Sequence, residues 1–271
     1  MSHDSTQWAR VQTARHPERP HTLDYIKVMA PDFIELHGDR MYGDDPAIIG
    51  GLGTFAGSAV MFIGQQKGRD TKESIARNFG MPLPEGYRKA QRLMLHAAKF
   101  GFPLVTLIDT AGASPSLQSE ERGMALAIAE AIQTMLGLPI PLVAVVVGEG
   151  GSGGALAIGV ADRVLMLENA IYSVASPEAA AAILWNDAKQ APIAAERMRI
   201  TAPDLLQFGI VDEVLAEPVG GAHKDPLATV ETVAAAISRH LAALDQHDWR
   251  TPAGLRRLLD ARYDKFRKIG A

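Results

Sequence analysis

A chain of 271 residues with 47% hydrophobic and 21% charged side chains has ample material for a buried core, which excludes a globally disordered polypeptide. Its formal net charge of −4 argues against a general nucleic-acid binder. The absence of cysteine removes disulfides, thiolate nucleophiles and cysteine-type zinc sites.

Residues 1–20 are polar, lack the apolar run of a secretory signal and close on Pro17 and Pro20, so they read as an arm, with one domain over 21–271. From Thr22, the residues Ile26, Met29, Phe33 and Leu36 recur at helical spacing despite Pro31 and predict a short amphipathic helix. Strands are expected over 48–55 and 59–65, joined by a turn at Ala56-Gly57. A helix over 85–100 starts behind Pro84 and places Leu93, Ala97 and Phe100 on one face.

Buried strands and helices then alternate. A strand over 104–108 ends in Asp109-Thr110-Ala111-Gly112-Ala113, and a helix over 119–136 opens with the acidic pair Glu120-Glu121. A second strand over 142–147 runs into Gly148-Glu149-Gly150-Gly151-Ser152-Gly153-Gly154, followed by a small apolar helix over 155–160 and a third strand over 163–167. Residues 179–182 read as helix, and amphipathic helices over 230–244 and 254–266 close the chain. This is the signature of an α/β domain with a helix-covered parallel sheet, whose functional ends lie where strands hand over to helices. The longest apolar stretch, 136–147, is broken by Gly137, Pro139 and Pro141 and is too short to span a bilayer, which predicts a cytoplasmic protein.

Five glycines in seven residues at a strand end carry the strongest chemical signal. Glycine allows a ligand to approach bare backbone, with successive N–H groups at a helix start aimed at negative charge. An oxyanion hole or a phosphate cradle fits that pattern, and a tight turn with close helix–strand packing is the structural alternative. No Lys follows the last glycine, so the P-loop pattern is absent, and the G-x-G-x-x-G dinucleotide context is absent too. Gly150 to Gly154 reads G-x-S-x-G around Ser152, but no His and acid mark themselves as its triad partners. The loop after residue 108 is placed to flank the glycines, with Asp109 as a general base or, more simply, a brace. Lys67, Arg69, Lys72, Arg77, Arg88, Lys89 and Arg92 suit a polyanionic cofactor or acidic partner, or else a solvated face with local ion pairs. The histidines show no metal-ligand spacing.

The run Gly148 to Gly159 resembles the alpha subunits of bacterial acetyl-CoA carboxylase carboxyltransferases. Arg19 to Tyr25, Gln66 to Arg69 with Thr71-Lys72-Glu73, Asn78 to Pro82, Pro84 to Ala90, Glu120 to Gly123, Ser176 to Glu178 and Pro218 to His223 match in consistent order. The resemblance runs from about Trp8 to the C-terminus. It implies a crotonase-like fold of stacked ββα units with C-terminal helices, and an assembly of two alpha and two beta subunits. The beta subunit would bring a zinc module and most of the acetyl-CoA site; carboxybiotin would arrive on biotin carboxyl carrier protein, charged by biotin carboxylase. The family's paired glycine amides map onto Gly153 and Gly154, with Gly150, Gly151 and Ser152 shaping the approach beside Ala111 and Gly112. Lys67 and Arg69 are expected on the CoA or partner side, and no metal is expected in this chain.

Carboxyl transfer to acetyl-CoA, giving malonyl-CoA for fatty acid synthesis, moves charge onto the biotin ureido oxygen and onto the thioester oxygen. Fixed N–H donors stabilise both, and loss of one such donor costs roughly 3 kcal/mol. The departing biotin anion is itself able to take the methyl proton, so no ionisable side chain is required as base. This chain departs from the family at Ala111, Ser114 and Ser116, where Pro, Tyr and Gly are usual, and it begins about where the family core begins, without the longer helical arm often present. Two rival readings remain open: a self-contained crotonase-like acyl-CoA enzyme using Glu149 or Asp109 as acid/base, and a non-catalytic assembly subunit.

Overall fold

The computed structural model describes residues 6–270. Where an arm is expected, helix α1 (Thr6–Ala14) forms and buries Val11 and Ala14 against Ile171, Ala195 and Ile200. Helix α2 (Thr22–Met29) stops short of Pro31, whose missing N–H and fixed ring end the helix that Phe33 and Leu36 were expected to continue. Those residues instead lead into and out of β1 (Ile34–Glu35), antiparallel to β2 (Ile48–Phe55). The turn to β3 (Ser58–Gln65) is the anticipated Ala56-Gly57, both left-handed at φ 50° and 80°, the twist a two-residue hairpin requires.

Helix α3 (Thr71–Ala76) and a 3-10 turn lead to α4 (Pro84–Phe100), which carries Pro at its first turn and stops at Gly101 with φ 70°. After β4 (Leu104–Thr110), the single helix expected over 119–136 divides into α5 (Leu117–Glu121) and α6 (Met124–Gly137). Gly123 between them adopts φ 79°, which redirects the chain. Strand β5 (Leu142–Gly151) runs past the expected end at Val147 and takes up the first glycines, so α7 (Ser152–Leu156) starts earlier than anticipated. Strands β6 (Arg163–Leu167) and β7 (Ile171–Ser173), helices α8 (Pro177–Trp185), α9 (Ala191–Met198) and α10 (Ala202–Gln207), strand β8 (Glu213–Leu215) and helices α11 (Pro226–Asp245) and α12 (Pro252–Arg267) follow.

Among the described residues one sheet forms, in the order β1-β2-β3-β4-β5-β6-β8, with β7 on the far end of β5. From β3 onward every pairing is parallel. Every residue of β4 and β5 is buried, which is why their apolar runs are almost unbroken. Parallel strands align their C-terminal ends, so Gln65, Asp109 and Glu149 arrive on one side of the sheet.

Helix α11 is, among the described residues, the one helix long and apolar enough by composition to cross a membrane; here Val230, Val233, Ala236 and Ile237 join the core. Helix α12 is fastened by a fully buried Arg262. Its guanidinium grips Asp162 in a bidentate pair at 2.8 and 2.9 Å and donates to the carbonyls of Met135, Leu138 and Ile140 at the end of α6. The Met135 carbonyl also accepts the Leu138 N–H at 3.3 Å, and Arg262 adds the charged donor that this helix end lacks.

Candidate active site at the ends of the central strands

Most of the glycine run is set by packing, the structural alternative raised from the sequence. A Cβ on Gly148 would lie 2.4 Å from Asp109 Oδ1, on Gly150 2.7 Å from the Tyr172 ring, and on Gly151 2.1 Å from the Ala111 carbonyl oxygen. On Gly154 it would lie 2.5 Å from Ala113 N and 2.8 Å from the Tyr87 hydroxyl. Gly153 differs. Its nearest neighbour would be Ile128 Cγ2 at an ordinary 3.4 Å, and the residue is half-exposed.

The start of α7 leaves its first amides without helical acceptors. Among the described residues, no acceptor is paired with the N–H of Gly153 or Gly154. The Gly153 carbonyl accepts from Ala157 N–H at 2.9 Å, so the Gly154 N–H, antiparallel to it in the same peptide plane, points out of the helix start. Exposed Ser152 enters the turn at φ 53°. Ala111 and Gly112 border the same surface, through the contact of Ala111 with Gly151, and Gly112 N–H is held by Thr110 Oγ1 at 3.1 Å. The loop is secured by Ser114 N–H on the Pro82 carbonyl and a hydroxyl chain from Ser114 through Ser116 to Ser119. The Tyr87 hydroxyl, fully buried beside Gly154, has no hydrogen-bond partner among the described residues, and burial raises its pKa well above the ordinary tyrosine value.

Beside the amides lies a dense ionic cluster. Lys67 Nζ sits 2.7 Å from Asp109 Oδ1 and 3.0 Å from Glu149 Oε1. His21 Nδ1 meets Asp109 Oδ2 at 3.0 Å, and the Glu149 N–H donates to Asp109 Oδ1 at 3.0 Å. Arg15, just beyond α1, reaches Glu149 at 2.7 Å and Glu178 at 2.6 Å. Burial alone would raise the Asp109 pKa; Lys67 and His21 outweigh it and hold the carboxyl well below the usual carboxylate range. Burial likewise pulls Lys67 down, but Asp109 and Glu149 prevail and raise its pKa. Asp109, with its pKa held down and three donors on its carboxylate, is placed as a brace between these elements.

The fold thus brings Ala111, Gly112 and Gly150 to Gly154 onto one edge. Lys67 and Arg69 are not free cations: Lys67 serves Asp109 and Glu149, while Arg69 pairs with Asp24 and donates to the Arg19 carbonyl at 3.1 Å. Sequence reasoning missed Gln65, His21 and Arg15 as contributors. A polar Gln at the very end of an otherwise apolar strand was the signal available for Gln65.

A family model described as acetyl co-enzyme A carboxylase carboxyltransferase-like matches residues 2–270. An acetyl-coenzyme A carboxylase carboxyl transferase subunit alpha of Thermus thermophilus is 56% identical over 266 residues, covering 98% of this chain and 83% of that protein. The subunit of the same name from a Synechococcus strain is 56% identical over 96% of this chain and 78% of its own length. Among solved structures, transcarboxylase 12S with methylmalonyl-coenzyme A bound superposes with a TM-score of 0.67 at 19% identity, over 86% of this chain and 44% of that one. A Pseudomonas malonate decarboxylase hetero-tetramer in complex with coenzyme A gives 0.67 at 20%, over 91% and 95%. These structures show the fold, the crotonase-like α/β arrangement expected above.

Proposed function

The chain belongs to the acetyl co-enzyme A carboxylase carboxyltransferase-like family, and from that membership we propose that it is the alpha-side component of a carboxyltransferase acting with a beta subunit. Carboxybiotin supplies the carboxyl group and acetyl-CoA the carbon that receives it, giving malonyl-CoA in the cytoplasm. The observation that carries the reading is the pair of unpaired amides at Gly153 and Gly154, one of them on a half-exposed residue with room around it.

A ligand oxygen that gains charge needs donors already in place, and these two amides need no rearrangement to serve it. The absent side chain at Gly153 lets the oxygen approach. Ala111 and Gly112 border that approach, and Gly150 and Gly151 keep the strand close enough to the loop for the edge to be continuous. Asp109, Lys67 and Glu149 do not exchange protons with substrate; they hold the strand that carries the donors. This counts against a self-contained acyl-CoA enzyme, since its two candidate bases are both engaged in ion pairs. Helix α8, which touches the site through Glu178, exposes Ile183 and Leu184, apolar side chains suited to the beta subunit. Carrier protein and biotin carboxylase complete the proposed complex.

The test is biotin-dependent decarboxylation of malonyl-CoA, the transfer run backwards, by the chain assembled with its beta partner. Gly153→Val is expected to lower kcat by about a hundredfold or more while the assembly stays intact. Full turnover by that variant, or turnover by the chain alone, would discard the proposal.

A further inference from the structure

We infer that Gln65 is the positioning residue for the amide pair, an inference that rests on the carboxyltransferase reading above. Gln65 is completely buried at the end of β3. Its Oε1 accepts the Asp109 N–H at 3.0 Å, and its Nε2 donates to the Gly154 carbonyl at 3.0 Å. One side chain therefore ties the end of β4 to the start of α7. The orientation of the carboxamide is forced, since an N–H needs an acceptor and a carbonyl a donor.

Helix α7 is too short to do this alone. Ile158 N–H, the group that would serve the Gly154 carbonyl in a longer helix, bonds Ala155 instead at 3.3 Å. Gln65 takes the place of that missing donor. Ala157 N–H on the Gly153 carbonyl sets the direction of the Gly154 amide, and Gln65 on the Gly154 carbonyl fixes the next peptide plane, so Gly154 is clamped from both sides. Thr22 Oγ1 in turn donates to the Gln65 carbonyl at 2.5 Å, and Gly64 leaves Thr22 the room to do so. Gln65 touches no reacting atom; it acts through the backbone.

The experiment uses the complete assembly with its beta subunit and follows malonyl-CoA decarboxylation. Gln65→Met keeps the volume and removes both bonds; it is expected to lower kcat about tenfold with KM changed by less than about twofold. Gln65→Glu separates positioning from packing. Its ionised form cannot donate to the Gly154 carbonyl, whereas its protonated form can, so activity relative to wild type should be low near about pH 8.5 and recover severalfold near about pH 6.5. A kcat for Gln65→Met within about threefold of wild type, or a Gln65→Glu deficit that ignores pH, would overturn the inference. If Gln65→Met does not assemble, the Gln65→Glu pH profile decides alone. Gly153→Val, measured in parallel, separates the two ideas: its inactivity beside a fully active Gln65→Met removes only the positioning role, and its full activity removes the amide reading itself.

Discussion

Replacing Lys67 by Met tests the ionic cluster most directly. The ammonium holds Asp109 and Glu149 at 2.7 and 3.0 Å, and those carboxylate side chains are only 3% and 10% exposed. At an effective dielectric of about 20, each contact represents roughly 5–6 kcal/mol of raw attraction, most of it offset by the cost of dehydrating the charges. Removing one partner from such a cluster costs about 3–5 kcal/mol, and with His21 and Arg15 still facing the carboxylates the lower end applies. The pH dependence has a definite sign. The raised Lys67 pKa gives stabilisation that is complete below its unfolded value of about 10.5 and lost only as pH climbs through the folded value. The depressed Asp109 pKa gives stabilisation that is complete above about 4 and lost as pH falls through the folded value. This cluster should therefore add no slope between those limits. In Lys67→Met the buried Asp109 faces Glu149 with less positive charge, so the Asp109 pKa rises and the deficit shrinks from about pH 8 to about pH 6. Urea denaturation followed by circular dichroism at both pH values gives the numbers. A deficit below about 1 kcal/mol at pH 8, together with a raised KM for acetyl-CoA, would refute the reasoning and return Lys67 to the role of a free ligand for polyanions.

Alanine should distinguish the glycines by thermal unfolding. Gly151→Ala and Gly154→Ala collide with the Ala111 carbonyl and with Ala113 and Tyr87, so each should cost several kcal/mol, whereas Gly153→Ala should stay within about 1 kcal/mol of wild type. Equal losses at all three positions would contradict the packing assignment. The stacked rings of His16 and His223, 3.6 Å apart at 12°, predict a second pH effect. Burial and then His16 lower the His223 pKa, so the folded state binds fewer protons than the unfolded one and stability falls as pH drops through about 6.5. His223→Phe keeps a ring in the stack and should flatten that slope in denaturation curves taken between about pH 5 and 7; an unchanged slope would place its origin elsewhere.

The central strands were legible because burial on both faces writes itself as a continuous apolar run, as over Leu142 to Val147. The hairpin was legible through Ala56-Gly57, where the turn chemistry is local. The packing role of the glycines was not, because the atoms that forbid a side chain belong to Asp109, Ala111, Ala113 and Tyr172, remote in sequence. The same distance hid the role of Lys67, which meets Glu149 across 82 positions. Its spacing among other cations suggested a surface, and nothing local indicated two buried carboxylates. Helix α1 went unseen for a related reason: its few apolar residues acquire meaning only against Ala195 and Ile200. The proposed amide pair lies in the segment that the glycine run singled out, although most of those glycines serve the packing and Gly153 alone is left with room for a side chain.

The grip of Arg262 on the end of α6 has a consequence for biosynthesis. The residues it joins are separated by 122 to 127 positions, and the carbonyls of Met135, Leu138 and Ile140 acquire their charged donor only when α12 has emerged from the ribosome. Until then the crossover into β5 has an unsealed seam, open to water and to proteases. Nascent chains stalled before α12 should be cut there first, and emergence of α12 should close the seam in a single late step.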